Sequence, residues 1–525
     1  MTVSVLVVGF LQRFIQVFLE SALTLVVGLI VAGVLRRMVG PAGTRRLFGR
    51  GLAGLFRGWV VGMLLPVCSL GVIPVAREMR RAGVSGGTVL SFVLAAPLLN
   101  PISFFYGLTL AEPFVICCFA AASLLLSTWA GWLWDRVFAR GVCAAEAEAA
   151  AATAEEPRPA AGPRRLLAVV VTASREWIGP NFPYYVLGLV GSAILAALIP
   201  FGYLQPTMKH SDWASPYLML ILALPIYSSP LPGMMKIGLM FDHGNSVAAA
   251  FLLFILGIGT NLGLLAWLLR TSPPLRFLGW FAAWVAMVLT LALVAEPFLL
   301  YDQRKAELDH THAFDDYANP FPAGTDDWLI LLESARKKLA ERFEPMEQFA
   351  VGTLLLFTLI GWPLRRPERA SALERWLTVQ PPPTQGPTPW WNRPIPGPIL
   401  GGIALAGLIA ASVLGVYIFY PPPEQTLTML SHVRADALVA VRTGKHAEAI
   451  RHLELMDLLV RKLQVGVYIR RGTLSPQARQ AADDLREICE EIRDLLLTTA
   501  DEEHIRPMLP LLEERYRQCR QAFSD

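Results

Sequence analysis

The sequence predicts an all-α polytopic membrane protein, with two inverted-topology repeats that each carry a re-entrant, Pro-broken hairpin, and a C-terminal soluble helical domain. Three observations lead there. Of 525 residues, 54% are hydrophobic and 17% charged, with a mean hydropathy of +0.46, which is too apolar for a set of ordinary soluble domains. Apolar runs of about 20 residues, long enough to cross a bilayer, lie near 14–35, 87–110, 113–134, 181–200, 246–269, 277–300, 346–364 and 398–420. The stretch GMLLPVCSLGVIPVAREMRRAG, residues 62–83, starts like another such helix and then breaks its own pattern with Pro66, Cys68, Ser69, Gly71 and Pro74.

The first run contains Arg13 and Glu20 but no small-residue cleavage pattern followed by a soluble domain, so it reads as a retained helix. The loop after it carries Arg36, Arg37, Arg45, Arg46, Arg50 and Arg57 without an acid, which places it on the cytoplasmic side. Arg77, Arg80 and Arg81 belong on that same side. Residues 52–73 must therefore go in and come back. Such a hairpin leaves backbone groups unpaired at its tip, tolerated at membrane depth only where protein or a water-filled cavity supplies partners. The tract CAAEAEAAAATAEEPRPAAGPRR reads as a flexible cytoplasmic linker, residues 139–165, between repeat 1 (10–138) and repeat 2 (166–300).

Repeat 2 contains a second copy of the interrupted pattern, ALPIYSSPLPGMMKIGLMFDHGNSVAAAFLLFILGIGTN, residues 223–261. Pro66, Cys68 and Ser69 align with Pro225, Tyr227 and Ser228. Gly83 precedes Asn100 by 17 positions, and Gly244 precedes Asn261 by 17. The charge count brings this hairpin in from the outside. Opposed hairpins of this kind place a transporter's binding site near the midplane.

The segment PVCSLGVIPVAREMRRAGVSGGTVLSFVLAAPLLNP resembles the signature of the predicted permeases that include the ArsP-type organoarsenical efflux proteins and the YraQ group. Pro66, Cys68, Ser69, Gly71, Pro74, Gly83, Phe92, Ala96, Pro97, Asn100 and Pro101 fit its form. With the second copy the resemblance spans roughly residues 10–300, and it implies a transport function, with export of thiophilic or metalloid species as the family's best-defined activity. Leu70 stands where the family's second cysteine would be. Soft cations are held best by two or three thiolates, and Cys68 alone offers one.

Pro66, Cys68, Ser69, Asn100, Tyr227, Ser228 and Asn261 are the expected substrate-pathway residues. The two asparagines suit substrate lining and bracing of a facing hairpin tip equally well. Cys117 and Cys118 are adjacent, hence about 100° apart on a helix, and read as packing or lipid-facing residues. Met234, Met235 and Met240 read as packing, with a copper track as the lesser reading. His310, His312 and Asp315, in the acidic extracytoplasmic loop 301–345, are ligand types that suit zinc-like cations, although solvated surface is the commoner origin of such a cluster.

Beyond the repeats, residues 346–420 read as two extra transmembrane helices around a Pro/Trp-rich loop with Trp390 and Trp391 at headgroup level. Residues 424–525 read as a soluble helical bundle suited to a protein partner, placed on the extracytoplasmic side by the loop count. TGKHAEAIRHLELM is similar to half of a tetratricopeptide unit, and only one such unit is visible.

No phosphate cradle, Ser-His-Asp set, H-E-x-x-H or paired-carboxylate arrangement appears within the spans, so enzyme chemistry and cofactors are not expected. Nor is nucleic acid, at a net charge of +4. The expected function is a multi-pass inner-membrane permease, a secondary transporter or exporter of a small solute or a metal or metalloid ion. The alternative is a nontransporting scaffold whose tail recruits partners. Single cysteines placed at Arg80 and His210 should label from opposite faces of the membrane in intact cells; labelling from one face would overturn the topology.

Overall fold

The computed structural model describes residues 2–110, 113–138, 164–210, 212–242, 244–299, 313–322, 327–343, 345–378, 396–498 and 505–524. His310 and His312 lie outside them. The described residues are helical, apart from turns, connecting loops and an isolated bridge between Lys209 and Asn245. They form two compact units, Met1–Ser103 with Phe114–Ser412, and Phe104–Pro113 with Val413–Asp525.

Along the chain, α1 (Val3–Val34) leads through a π-type turn into α2 (Gly40–Phe48). The helices α3 (Gly51–Leu64) and α4 (Val72–Arg81) flank the first interruption, followed by α5 (Gly86–Ala95), α6 (Pro101–Leu110) and α7 (Pro113–Leu133). After the linker come α8 (Arg164–Trp177), α9 (Phe182–Leu198), α10 (Ser215–Ala223), α11 (Pro230–Asp242), α12 (Val247–Leu252), α13 (Leu262–Thr271) and α14 (Pro274–Phe298). The chain then continues through α15 (Trp328–Arg342), α16 (Pro345–Gly361), α17 (Pro367–Thr378) and α18 (Gly397–Phe419).

Several of the expected spans are not single helices. The run at 87–110 is α5 and α6, parted by residues 96–100, where Pro97 and Pro101 each lack an amide donor and disfavour helix at the residue before them. The run at 246–269 is α12, a π-type continuation over Leu253–Ile258, and α13, bent by 58° at the break. A bend of 55° separates α8 from α9, at Gly179-Pro180. Among the described residues three helices are long and apolar enough to cross a membrane unaided, and up to six spans result if each bent pair counts as one.

The interior is aromatic where residues 113–138 meet residues 247–298. Phe119 of α7 packs against Phe251 and Phe254 at ring distances of 5.2 and 5.3 Å, and Trp280 of α14 stands edge-on to Trp134 while donating to the Ala130 carbonyl at 2.9 Å. Glycine allows backbone to touch backbone. A Cβ at Gly28 of α1 would lie 2.2 Å from the Gly71 carbonyl oxygen, and one at Gly263 of α13 would lie 1.9 Å from that of Tyr184 in α9.

Ionic contacts collect where α1 ends. Glu78 of α4 and Glu176 of α8 are buried; Arg77 reaches Glu176 at 2.7 Å, and Arg36 approaches both carboxylates at 3.9 Å. Arg80 donates to the carbonyl of Thr271 at the end of α13 at 2.8 Å, a favourable place for a cation. The arginines after the first interruption thus anchor α4 to α8 and α13.

In the smaller unit α19 (Pro423–Arg442), α20 (His446–Arg471), α21 (Pro476–Thr498) and α22 (Met508–Ser524) share one apolar core, with Leu453, Met456, Val460 and Leu463 of α20 against Leu485, Ile488 and Ile492 of α21. Helix α20 ends on Gly472 in the left-handed conformation (φ 73°). Although burial pushes the Asp457 carboxyl up, the Arg461 and Arg486 guanidiniums, each 2.8 Å away, outweigh it and hold the group below the usual carboxylate range. Burial pushes the Cys519 thiol up to about 12 and that of Cys489 upward as well, so both behave as core residues.

Gly28→Ala should lower the unfolding temperature of the detergent-solubilised protein, since overpacking costs about 1–3 kcal/mol, whereas Gly352→Ala, which meets nothing within 4 Å, should not. Equal melting curves for the two variants would refute the close contact between α1 and residue 71.

Candidate functional site

Between α3 and α4 the chain runs non-helically from Leu65 to Gly71, and Cys68, Ser69 and Leu70 are fully buried there. Local bonds shape the turn: the Gly71 amide donates to Cys68 Sγ at 3.3 Å, and the Val72 amide to the Cys68 carbonyl at 3.0 Å. Between α10 and α11 residues 224–229 are likewise buried and non-helical, apart from half-buried Leu224 and Pro225. The Tyr227 amide donates to Ser192 Oγ of α9 at 3.1 Å. The Ser229 amide donates to Glu20 Oε1 at 2.7 Å, and the hydroxyls of Ser228 and Ser229 reach the same oxygen at 3.3 and 3.2 Å.

The two interruptions face one another. Tyr227, 1% exposed, lies beside Cys68 and Thr24 and within electrostatic reach of Glu20. Asn261 of the second half donates through Nδ2 to Ser69 Oγ of the first at 2.7 Å. Its Oδ1 accepts from the Leu264 amide at 2.9 Å, capping α13. Asn100 does the equivalent for α6, accepting from the Ser103 amide at 2.8 Å. Both asparagines thus begin helices, and Asn261 also bonds Ser69 of the first interruption. The Leu70 side chain lies against Gly188 of α9, where a Cβ would meet its Cδ2 at 2.8 Å.

Two sets of contacts of the same form, within residues 83–135 and within residues 244–296, were missed by the sequence reading. Ser85 caps α5, accepting from the Thr88 amide, while Asp135 accepts from the Ser85 hydroxyl at 3.0 Å and the Gly87 amide at 2.7 Å. Ser246 caps α12, accepting from the Ala249 amide, while Glu296 accepts from the Ser246 hydroxyl at 3.2 Å and from the Ala248 amide. Gly83 and Gly244, two residues before each serine, both adopt positive φ, 76° and 65°. The interval between Gly83 and Gly244 is 161 residues (244 − 83), and it is the same for Ser85 and Ser246, Asn100 and Asn261, and Asp135 and Glu296. That constant interval was available in the sequence. Without contacts, nothing singled out the two carboxylates.

Other expected residues have ordinary surroundings. Cys117 is exposed and Cys118 half-buried on α7; Met234 and Met240 are fully buried and Met235 half-buried on α11. Asp315 accepts from Gln205 at 3.0 Å, and its carbonyl accepts from Arg13. Among the described residues no group of three or more His, Cys, Asp or Glu side chains is placed to hold a metal ion.

Residues 7–295 match the family described as a predicted permease, that of the ArsP-type proteins. The chain belongs to this family. The match takes in both interruptions of the permease and every repeated contact except the Glu296 carboxylate, one residue beyond it. The permease is 34% identical over 94 residues to UPF0718 protein YcgR of Bacillus subtilis (strain 168), covering 18% of this chain and 32% of the relative. It is 25% identical over 96 residues to a putative two-component membrane permease complex subunit of Streptococcus mutans serotype c, with the same coverage, 18% and 32%. The permease thus aligns with about a third of the length of these relatives. No solved structure matches it.

Asn261→Ala removes a helix cap and the bond to Ser69, and Asn100→Ala removes only a cap. The first should cost about 2–3 kcal/mol and the second about 1, read as thermal unfolding of the detergent-solubilised permease, and Ser69→Ala should add little on top of Asn261→Ala. A fully additive double variant would exclude the Ser69–Asn261 bond.

Proposed function

We propose that the permease is a secondary transporter or exporter of a small solute or a metal or metalloid ion, which passes through a midplane site between residues 65–71 and 224–229. In this reading residues 10–138 and 166–300 are inverted repeats, and each interruption is the tip of a re-entrant hairpin. One observation carries it: two buried non-helical segments face each other within a set of cap and carboxylate contacts that recur at a constant interval of 161 residues (244 − 83). Broken helices whose termini converge near the midplane are how such transporters expose backbone groups to a substrate. A scaffold has no need of them.

Cys68, Ser69, Tyr227 and Ser228 line the site in this reading, with Pro66 at one entrance. Asn100 and Asn261 hold the helix starts beside it. With Leu70 in place of a second thiol, the cargo is held by a mixed set of hydroxyls and one sulfur rather than by a thiolate pair. Export of metalloids is the class the family supplies, and a hydroxyl-bearing solute is the other class this lining accommodates. The homologue named as a complex subunit supports a partner for this chain, and the helices of 424–525, which lie outside the family match, are the surface proposed for it. Residues 139–165, 301–345 and 346–420 are read as linker, acidic outer loop and two added transmembrane helices of an inner-membrane protein, with the C-terminal domain outside. His310, His312 and Asp315 remain candidate ligands for an exported cation in that outer loop.

Cells with and without the permease should differ in growth or accumulation against a panel of metal and metalloid ions, and Cys68→Ser should weaken that difference about tenfold or more if the sulfur is a ligand. A panel without any response would remove the thiophilic cargo. Full resistance in Cys68→Ser would remove the sulfur from the site.

A further inference from the structure

Helices α1 and α15 meet along an apolar seam, where Val5 and Val8 share a cluster with Leu331 and Ala335. Beside that seam a groove of about 480 Å³ runs between the two helices. Its walls are Leu11, Ile15 and Leu19 of α1 against Leu332 and Leu339 of α15, with Phe343 at the α15 C-cap. Two polar side chains interrupt this apolar lining. Gln12 is 4% exposed, and its Oε1 has no hydrogen-bond partner among the described residues. A buried acceptor in that state costs about 1–3 kcal/mol, which a donor arriving in the groove would relieve. The neighbouring polar residues of α1, Arg13 and Gln16, are engaged elsewhere, with Asp316. The second group is Arg336 of α15, and no acidic side chain is among the described residues that line the groove. Of the cations that follow it, Lys338 is drawn to the Pro320 carbonyl at 2.9 Å and to the Phe321 ring. Lys337 is exposed and outside the lining.

The two polar groups lie toward the seam. Gln12 is four residues past Val8 (12 − 8) and Arg336 one past Ala335 (336 − 335), and the apolar walls continue beyond them to Leu19 and Phe343. From Gln12 to Leu19 is seven residues (19 − 12), about 10 Å of helix, or roughly two-thirds of one leaflet of a hydrocarbon core about 30 Å thick. The groove thus suits a ligand with an anion and a hydrogen-bond donor at one end and a hydrocarbon chain at the other.

We infer that this groove binds an anionic phospholipid with a hydroxyl-bearing headgroup, of the phosphatidylglycerol type. One acyl chain lies along the apolar walls, Arg336 holds the phosphate, and Gln12 accepts from a headgroup hydroxyl. A guanidinium meets a phosphate through charge-assisted, bidentate bonds, and basic pockets between membrane helices are a recurrent form of headgroup recognition. A phosphatidylcholine headgroup has no donor for Gln12 and brings a second cation toward Arg336. A soluble phosphate ester would leave the apolar walls uncovered.

The test is native mass spectrometry of the full-length, detergent-solubilised permease offered phosphatidylglycerol in competition with phosphatidylmethanol or phosphatidylcholine of identical chains. The wild type should retain phosphatidylglycerol about tenfold over phosphatidylcholine, the effect of one charge-assisted contact, and about threefold over phosphatidylmethanol, which has the anion without the hydroxyl. Arg336→Ala should abolish the first preference. Gln12→Leu should abolish the second and, without lipid, melt no lower than the wild type, since it removes an unpaired buried acceptor. Lys337→Ala makes the same change of charge outside the groove and should leave both ratios as they are. Glycerophosphoglycerol, the same headgroup without chains, should not displace the lipid. The inference is overturned if the wild type retains the three lipids equally, or if either groove variant keeps the preference it should lose. It is also overturned if Lys337→Ala loses as much as Arg336→Ala, which would assign the selection to diffuse surface charge, or if glycerophosphoglycerol competes, which would assign the site to a soluble ligand.

Discussion

Every buried break in a helix frees amide and carbonyl groups, and in an apolar interior those groups must find partners inside the protein. Four such breaks sit near one another here, at residues 65–71, 96–100, 224–229 and 259–261. Their partners are few and specific. Ser69 receives Asn261, the Tyr227 amide uses Ser192, the Ser229 amide uses Glu20, and the two asparagines satisfy amides at the starts of their own helices. The polar side chains of the larger unit are distributed as this demand requires, which is why serines and asparagines recur in otherwise apolar helices.

Packing follows from the same constraint. A side chain that reaches a backbone group across two helices needs the helices close, and glycine supplies the room. Gly28 meets Gly71, Gly188 meets Leu70 and Asn261, and Gly263 meets Tyr184. Larger residues fill the space further out, where Phe119 meets Phe251 and Phe254, and Trp280 meets Trp134. Membrane helices gain little from burying one another's apolar faces, so close contact at small residues and a few polar bonds must hold this arrangement together.

Composition and periodicity made the all-helical membrane character legible, and the family followed from the residues between Pro66 and Pro101. Their placement was less so. Asn100 and Asn261 stood out because an amide is conspicuous among leucines and because both lie 17 positions after a glycine. That both would begin new helices was not foreseen, since the apolar runs continue unbroken through them and hydropathy cannot register a change of axis. Glu20 was counted as a charge tolerated in a span. Its partners lie 208 and 209 positions away, and no local pattern reports a contact at that distance. Asp135 and Glu296 were hidden for the same reason, since each sits at a helix end where an acid is unremarkable.

Helix α1 touches both interruptions, with Gly28 against Gly71 and Glu20 against Ser229. The two contacts are eight residues apart (28 − 20), or about 12 Å at the rise of an α-helix. One rigid rod therefore sets the spacing of two segments that lie about 160 residues apart in the chain. Its register is a shared dimension of the molecule: a single residue inserted between positions 20 and 28 would advance one contact by about 1.5 Å and turn it through about 100°, so that only one of the two segments could keep its seat.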